Sequence, residues 1–150
     1  MNRILVALLV AFCAVPAFAQ SPFHGEGECT RNDIVGAYGF SGQGLVVADG
    51  VGFPKGPITT VGTITFNRDG TFRTKQHISA NGALQRDVIF SGTYTVQPDC
   101  TFTLVDPTVD PDNASDFGVL MAGGGEFLLM PNIEGFAITF SGKRLSPFRR

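Results

Sequence analysis

The chain has 150 residues, a formal net charge of −2 and 43% hydrophobic residues, which suffices for one domain and is too apolar for a disordered chain. Acidic residues outnumber basic ones, so no basic face is expected and a nucleic-acid partner is excluded.

Residues 1–19 have the pattern of a secretory signal peptide. Arg3 precedes an apolar run, and Ala17-Phe18-Ala19 supplies the small residues of a cleavage site. The run is shorter than the roughly 20 residues that a spanning helix needs. We therefore predict cleavage after Ala19, export to the periplasm or beyond the cell, and no stable membrane insertion.

Cleavage would remove Cys13 and leave two cysteines in the mature chain. An even number of cysteines in an oxidising compartment predicts one disulfide, between Cys29 and Cys100, with two buried free thiols as the alternative. Closing so long a loop is expected to stabilise the fold by about 4 kcal/mol on the chain-entropy account.

The mature chain begins with an irregular segment at residues 20–35 and continues as short strand-like runs punctuated by Gly, Asn, Asp and Pro. Eight strands are predicted, at 36–47, 58–66, 71–79, 84–96 (interrupted at Gly92), 101–105, 117–122, 126–130 and 136–145. Because most connections have hairpin length, we predict an all-β, eight-stranded antiparallel up-and-down barrel over residues 36–146, followed by a tail at 147–150. A two-sheet β-sandwich is the alternative.

The hairpin around Asn81-Gly82 suggests which side chains face inward. We interpret Ala80-Asn81-Gly82 as a three-residue loop, because the resulting register pairs Lys75 with Asp87 on the outer face. On the inner face the same register forms these pairs: Phe72 with Phe90, Thr74 with Val88, Gln76 with Arg86, and Ile78 with Leu84. Alternation along the other strands points these residues inward: Ile58, Ile64, Phe66, Phe102, Leu104, Phe136, Ile138 and Phe140. The candidates for contact with a ligand in the lumen are Phe66, Phe72, Gln76, Arg86, Phe90, Tyr94 and Phe140.

Arg86 is the unusual member of this set, because a buried guanidinium is costly unless it is paired. It could bind the carboxylate of a ligand, or it could lie at the barrel mouth with its charge in water. The phenylalanines are expected to serve mainly as core, with only some of them lining a cavity.

Side chains arranged for catalysis are not apparent. The two histidines lack metal-ligand spacing, so no metal, cofactor or catalytic residue is assigned. The aspartates at 106, 110, 112 and 116 are interpreted as a solvated loop rather than a calcium site. An outer-membrane barrel is disfavoured because the chain has no Trp and only two Tyr for aromatic girdles.

The segment from Gly92 to Thr101 (GTYTVQPDCT) resembles a recurring segment of small exported bacterial proteins of unknown function. The start at Gly36-Ala37-Tyr38-Gly39-Phe40 and the strand Gly62–Phe66 fit the same pattern. The overall layout is similar to barrels of the calycin type and of the allene oxide cyclase and dirigent type. This resemblance implies an eight-stranded barrel with a hydrophobic interior, and no catalytic residue of the cyclases matches a position here.

We therefore expect an exported barrel that binds a small apolar ligand in its lumen. One alternative is a structural or protein-interaction module with a packed interior. The other is an isomerase or cyclase acting by shape, in which Arg86, Gln76 or Tyr94 would orient the substrate. The absence of a catalytic constellation favours a binding protein over an enzyme.

Overall fold

The computed structural model describes residues 28–110 and 112–146. The predicted signal peptide, residues 20–27 of the predicted irregular N-terminal segment and the tail at 147–150 lie outside the described residues. One short helix, α1 (Arg31–Ile34), precedes nine strands. The strands are β1 (Gly36–Val46), β2 (Gly56–Phe66), β3 (Thr71–Ala80), β4 (Ala83–Val88), β5 (Ser91–Val96), β6 (Thr101–Val105), β7 (Asp116–Met121), β8 (Glu126–Pro131) and β9 (Phe136–Arg144).

Eight of these strands close into the predicted antiparallel barrel, and β4 is an additional strand. The order around the barrel is β1, β2, β3, β5, β6, β7, β8 and β9, with β9 returning to pair with β1. The sandwich alternative is therefore wrong. Closure leaves these eight strands without a free sheet edge.

The predicted fourth strand is two strands in the structure, and it is interrupted at Ile89-Phe90 rather than at Gly92. β4 pairs with the end of β3, whereas β5 pairs with its beginning, where Phe72 lies opposite Gly92. Between them, the Thr74 backbone N–H donates to the Phe90 carbonyl at 2.8 Å. Gly92 has a different role: a Cβ there would lie 1.9 Å from the Val105 carbonyl oxygen, so only glycine permits this close approach.

The predicted three-residue hairpin loop is wrong. Asn81 and Gly82 both have positive φ angles (45° and 85°) and form a two-residue turn that pairs Ala80 with Ala83. A bulge then places two β4 residues, Arg86 and Asp87, opposite one residue of β3, and Asp87 takes a φ of 53°.

The bulge restores the predicted outer ion pair, because the Lys75 ammonium lies 2.8 Å from the Asp87 carboxylate. The other predicted pairs across this hairpin are not formed. Leu84 is 53% exposed and Arg86 is also exposed, so neither faces the lumen. The inward direction predicted for most residues of the other strands is confirmed, since Ile58, Ile64, Phe66, Phe102, Leu104 and Ile138 are buried.

One end of the barrel, which we call the closed end, is filled by aromatic side chains. The Phe66 ring lies 5.1–6.1 Å from the rings of Tyr38, Tyr94, Phe102 and Phe127. Helix α1 covers this cluster and adds the fully buried Ile34 to it.

Three kinds of bond fasten α1 and its flanking residues to the closed end. Cys29 forms the predicted disulfide with Cys100. The Arg144 guanidinium donates to the carbonyls of Asp33, Val35 and Gly124, and it lies 4.9 Å from the Tyr38 ring centroid. The Tyr38 hydroxyl also donates to the Gly124 carbonyl. These contacts satisfy carbonyls that burial would otherwise leave unpaired.

The opposite end, which we call the open end, is built differently. β1, β2 and β3 have 10 or 11 residues each, whereas β5, β6, β7 and β8 have five or six. The loops at 47–55, 106–115 and 132–135 rise at this end and complete the barrel wall where the strands stop.

Candidate functional site

The open end contains an interior cavity of about 530 Å³. This volume lies within the range of about 300–1,000 Å³ that is usual for small-molecule sites. Most of its wall is apolar and comes from inward-facing strand residues, namely Phe40, Ile58, Phe72, Ile138 and Phe140, with Phe90 added from the link between β4 and β5. An apolar molecule in this cavity would therefore contact mainly apolar side chains.

Loop residues close the cavity above the strands. Val51 and Phe53 enter the wall from the loop between β1 and β2, and the Phe53 ring packs edge-on against Phe136 at 6.0 Å. Val109 and Ile133 contribute from two other loops at the same end. Loop side chains therefore form part of the cavity wall at this end.

A neutral polar group lies in one part of the wall. The Thr60 hydroxyl donates to Gln76 Oε1 at 2.9 Å, and both side chains are buried. Nearby on β3, the Thr74 hydroxyl accepts the Phe90 backbone N–H at 3.1 Å. These groups bond mainly to one another, so they make the wall only mildly polar.

A second, acidic group lies where β6 and β7 meet the loop that joins them. Asp106 is 3% exposed, Ser115 is 1% exposed, and both line the cavity together with Asp116. The Ser115 hydroxyl donates to Asp116 Oδ2 at 2.8 Å. The Thr108 backbone N–H and hydroxyl both donate to Asp106 Oδ1, at 2.8 and 2.6 Å.

The other oxygen of Asp106 has no such partner. Among the described residues, Asp106 Oδ2 is the buried side-chain polar atom that forms no hydrogen bond. A buried acceptor without a donor is costly, and such an atom in a wall indicates a place where a donor from elsewhere can bind.

Burial has a marked effect on Asp116. Loss of solvation raises the pKa of its carboxyl from 3.8 to about 6; the Ser115 hydrogen bond opposes this change and the charge of Asp106 adds to it. No Lys, Arg or His among the described residues lines the cavity, so this part of the chain supplies no cation in the wall to balance the two carboxyls.

The structure divides the predicted lumen residues into three sets. Phe72, Gln76, Phe90 and Phe140 line the cavity. Phe66 and Tyr94 are buried in the closed end, where the Tyr94 hydroxyl donates to the Asn67 carbonyl at 2.6 Å. Arg86 is the correction: the two-residue turn and the bulge place it on the exposed part of β4, away from the lumen.

The interpretation of the acidic loop as wholly solvated is wrong for its two ends. Asp112 is exposed, and Asp110 bonds to Asp112 and Asn113 within the loop, whereas Asp106 and Asp116 lie in the cavity wall. The sequence contained a usable signal, because Phe102 and Leu104 were predicted to face inward and the same alternation continues to Asp106.

The described residues contain no group of three or more His, Cys, Asp or Glu side chains placed to hold a metal ion. Within the same part of the chain, no helix has the length and apolar character needed to cross a membrane. Comparison of the sequence with protein-family models and with curated proteins found no match.

Proposed function

We propose that this protein is an exported barrel that binds a small, largely apolar molecule inside its open end. The observation that carries the proposal is the cavity of about 530 Å³ with phenylalanine and isoleucine walls. An apolar molecule moving from water into such a space is favoured by about 25 cal/mol for each Å² of surface removed from water.

The two alternatives receive less support. A packed interaction module has no need of an internal cavity, since an interior filled at both ends would be more stable. For the shape-directed isomerase, Arg86 lies outside the lumen and Tyr94 is enclosed in the closed end, so only Gln76 remains at the cavity wall.

Export rests on the signal-peptide pattern of residues 1–19 and is supported by the Cys29–Cys100 disulfide. Disulfides persist in the periplasm and outside the cell, and cytosolic thiols are kept reduced.

The test uses a neutral hydrocarbon probe, diphenylhexatriene, whose fluorescence rises in apolar surroundings. The native protein is expected to bind it saturably. Ile138→Trp introduces a large indole into the cavity, at a position that is 8% exposed, and is expected to weaken binding at least about tenfold by occupying the space.

Thr139→Trp is the matched control, because Thr139 is the next residue of β9 and faces outward. It should bind the probe as the native protein does. The chain has no other Trp, so each variant also carries a single fluorescent reporter of its own surroundings. Absence of saturable binding, or equal binding by both variants, would contradict the proposal.

A further inference from the structure

We propose that the ligand carries a protonated amine at one end of its apolar body, and that this amine binds Asp106 and Asp116 in the cavity wall. This inference rests on the proposed function and adds the chemical class of the ligand.

The first step is the unmatched acceptor. Asp106 Oδ1 receives two bonds from Thr108, while the buried Oδ2 receives none from any described residue. The Ser115 hydroxyl donates to Asp116 Oδ2 at 2.8 Å and accepts the Asp106 backbone N–H at 3.3 Å, so it does not serve the Asp106 carboxylate. The protein thus leaves one carboxylate oxygen in the wall for a donor that it does not itself supply.

The second step is charge. Asp106 is close enough to Asp116 for its charge to raise the pKa of the Asp116 carboxyl, and no basic side chain of the residues that the structure describes lines the cavity. The ion pairs formed by described residues involve Asp49, Asp87 and Glu126, and neither of these two aspartates. An ammonium group satisfies both needs, because it donates up to three hydrogen bonds and brings the missing positive charge.

The third step is position. Asp106 directly follows the short strand β6 and Asp116 begins β7, so both lie at the rim where the cavity passes from strand wall to loop. The apolar rings of Phe72, Phe90 and Phe140 line the same cavity. A molecule with its chain among these rings and its amine at the rim matches both surfaces, whereas a fatty acid would bring its carboxylate against two others.

The test compares three probes with the same ten-carbon chain: decylamine, decanol and decanoate. Each competes with diphenylhexatriene for the native protein at neutral pH, below its micelle concentration. We expect decylamine to bind about ten- to a hundredfold more tightly than decanol, and decanoate most weakly. Equal binding of amine and alcohol, or a preference for decanoate, would overturn the inference.

Asp106→Asn keeps the acceptor for Thr108 and removes the charge, and it should reduce the preference for decylamine over decanol to about threefold or less. Asp112→Asn removes the same charge from the exposed part of the loop and should leave the preference intact. Equal loss in both variants would mean that net charge, not the wall site, selects the amine.

The outcomes separate the two proposals. If decanol and diphenylhexatriene bind but decylamine gains nothing, the apolar site stands and the amine inference fails. If none of the probes binds, the proposed function itself fails. The native protein alone decides between these cases, so the result does not depend on whether a variant folds.

Discussion

Phenylalanine side chains fill the interior at the closed end of the barrel, whereas at the open end they border a cavity. At the closed end, the Phe66 ring is 1% exposed and lies within 6.1 Å of four other aromatic rings. At the open end, the rings meet in pairs, as Phe40 with Phe140 and Phe53 with Phe136, and the remaining space is the cavity. Phenylalanine content alone therefore does not decide whether a lumen is filled.

The difference comes from what surrounds the rings. Glycines on neighbouring strands admit aromatic rings at both ends: a Cβ at Gly142 would lie 2.1 Å from the Phe127 ring at the closed end, and one at Gly42 would lie 2.4 Å from the Phe140 ring at the open end. Only at the closed end does helix α1 also cover the rings. At the open end no helix within residues 28–110 and 112–146 covers the lumen, and the shorter strands leave part of the wall to loops. An end becomes a packed core when the backbone both admits the rings and covers them.

The largest difference between the two ends is expected when one aromatic ring is removed from each and the loss in free energy of unfolding is compared. Phe66→Ala should lower the free energy of unfolding by about 3–5 kcal/mol, because it leaves a cavity among four rings that cannot collapse. Phe90→Ala removes a half-buried ring already bordering space and should cost about 1 kcal/mol. Urea unfolding of both variants measures the difference, and similar costs would mean that the open end is packed after all.

Removing the disulfide is a second test, because it should affect the stability of the fold without affecting binding at the open end. Cys29 and Cys100 are 71 residues apart, so replacing both by serine should lower the free energy of unfolding by about 4 kcal/mol through the entropy of the unfolded chain. Because the bond lies at the closed end, the folded variant should still bind diphenylhexatriene with native affinity. A large loss of affinity in protein that remains folded would show that the two ends are coupled.

Much of this architecture could be predicted from the sequence, because alternation in the long strands places Ile58, Ile64 and Phe66 inward without ambiguity. The hairpin at Asn81-Gly82 could not, since its two-residue turn and its later bulge together give the same outer ion pair as a three-residue loop would. For this reason the sequence prediction placed Arg86 on the inner face, whereas the structure places it on the outside. A bulge depends on local backbone geometry, and alternation does not encode it.

The candidate site was predicted in part for a similar reason. Four of the predicted lumen residues line the cavity, but Asp106 and Asp116 were assigned to a solvated loop because Asp-Pro pairs are typical of turns. Where the alternation of β6 and the usual exposure of aspartate disagreed, the alternation was the better guide. A disagreement between pattern and residue type is therefore itself an indication of a site.

The smallest expected effect is the dependence of stability on pH that follows from the burial of Asp116. The pKa of Asp116 is higher in the folded protein (about 6) than its ordinary value of 3.8, so the folded state binds more protons between those values and stability falls as pH rises from about 4 to about 6. At about 1.4 kcal/mol for each tenfold change in proton affinity, the loss is at most about 3 kcal/mol. Asp116→Asn should abolish this part of the pH dependence, and Asp112→Asn should not.

Urea unfolding across this pH range, taken as the difference between native protein and each variant, isolates Asp116 from the other carboxyls. The pKa values of Asp33, Asp69 and Asp87 are lowered by their hydrogen bonds, so their contributions are lost only as pH falls below about 4. If the difference in free energy of unfolding between the native protein and Asp116→Asn does not change with pH, the Asp116 carboxyl is solvated. The open end would then have an ordinary polar rim. A difference that grows with pH and disappears when decylamine is added would connect the buried carboxyl to the ligand, because an ammonium beside Asp116 favours its charged form.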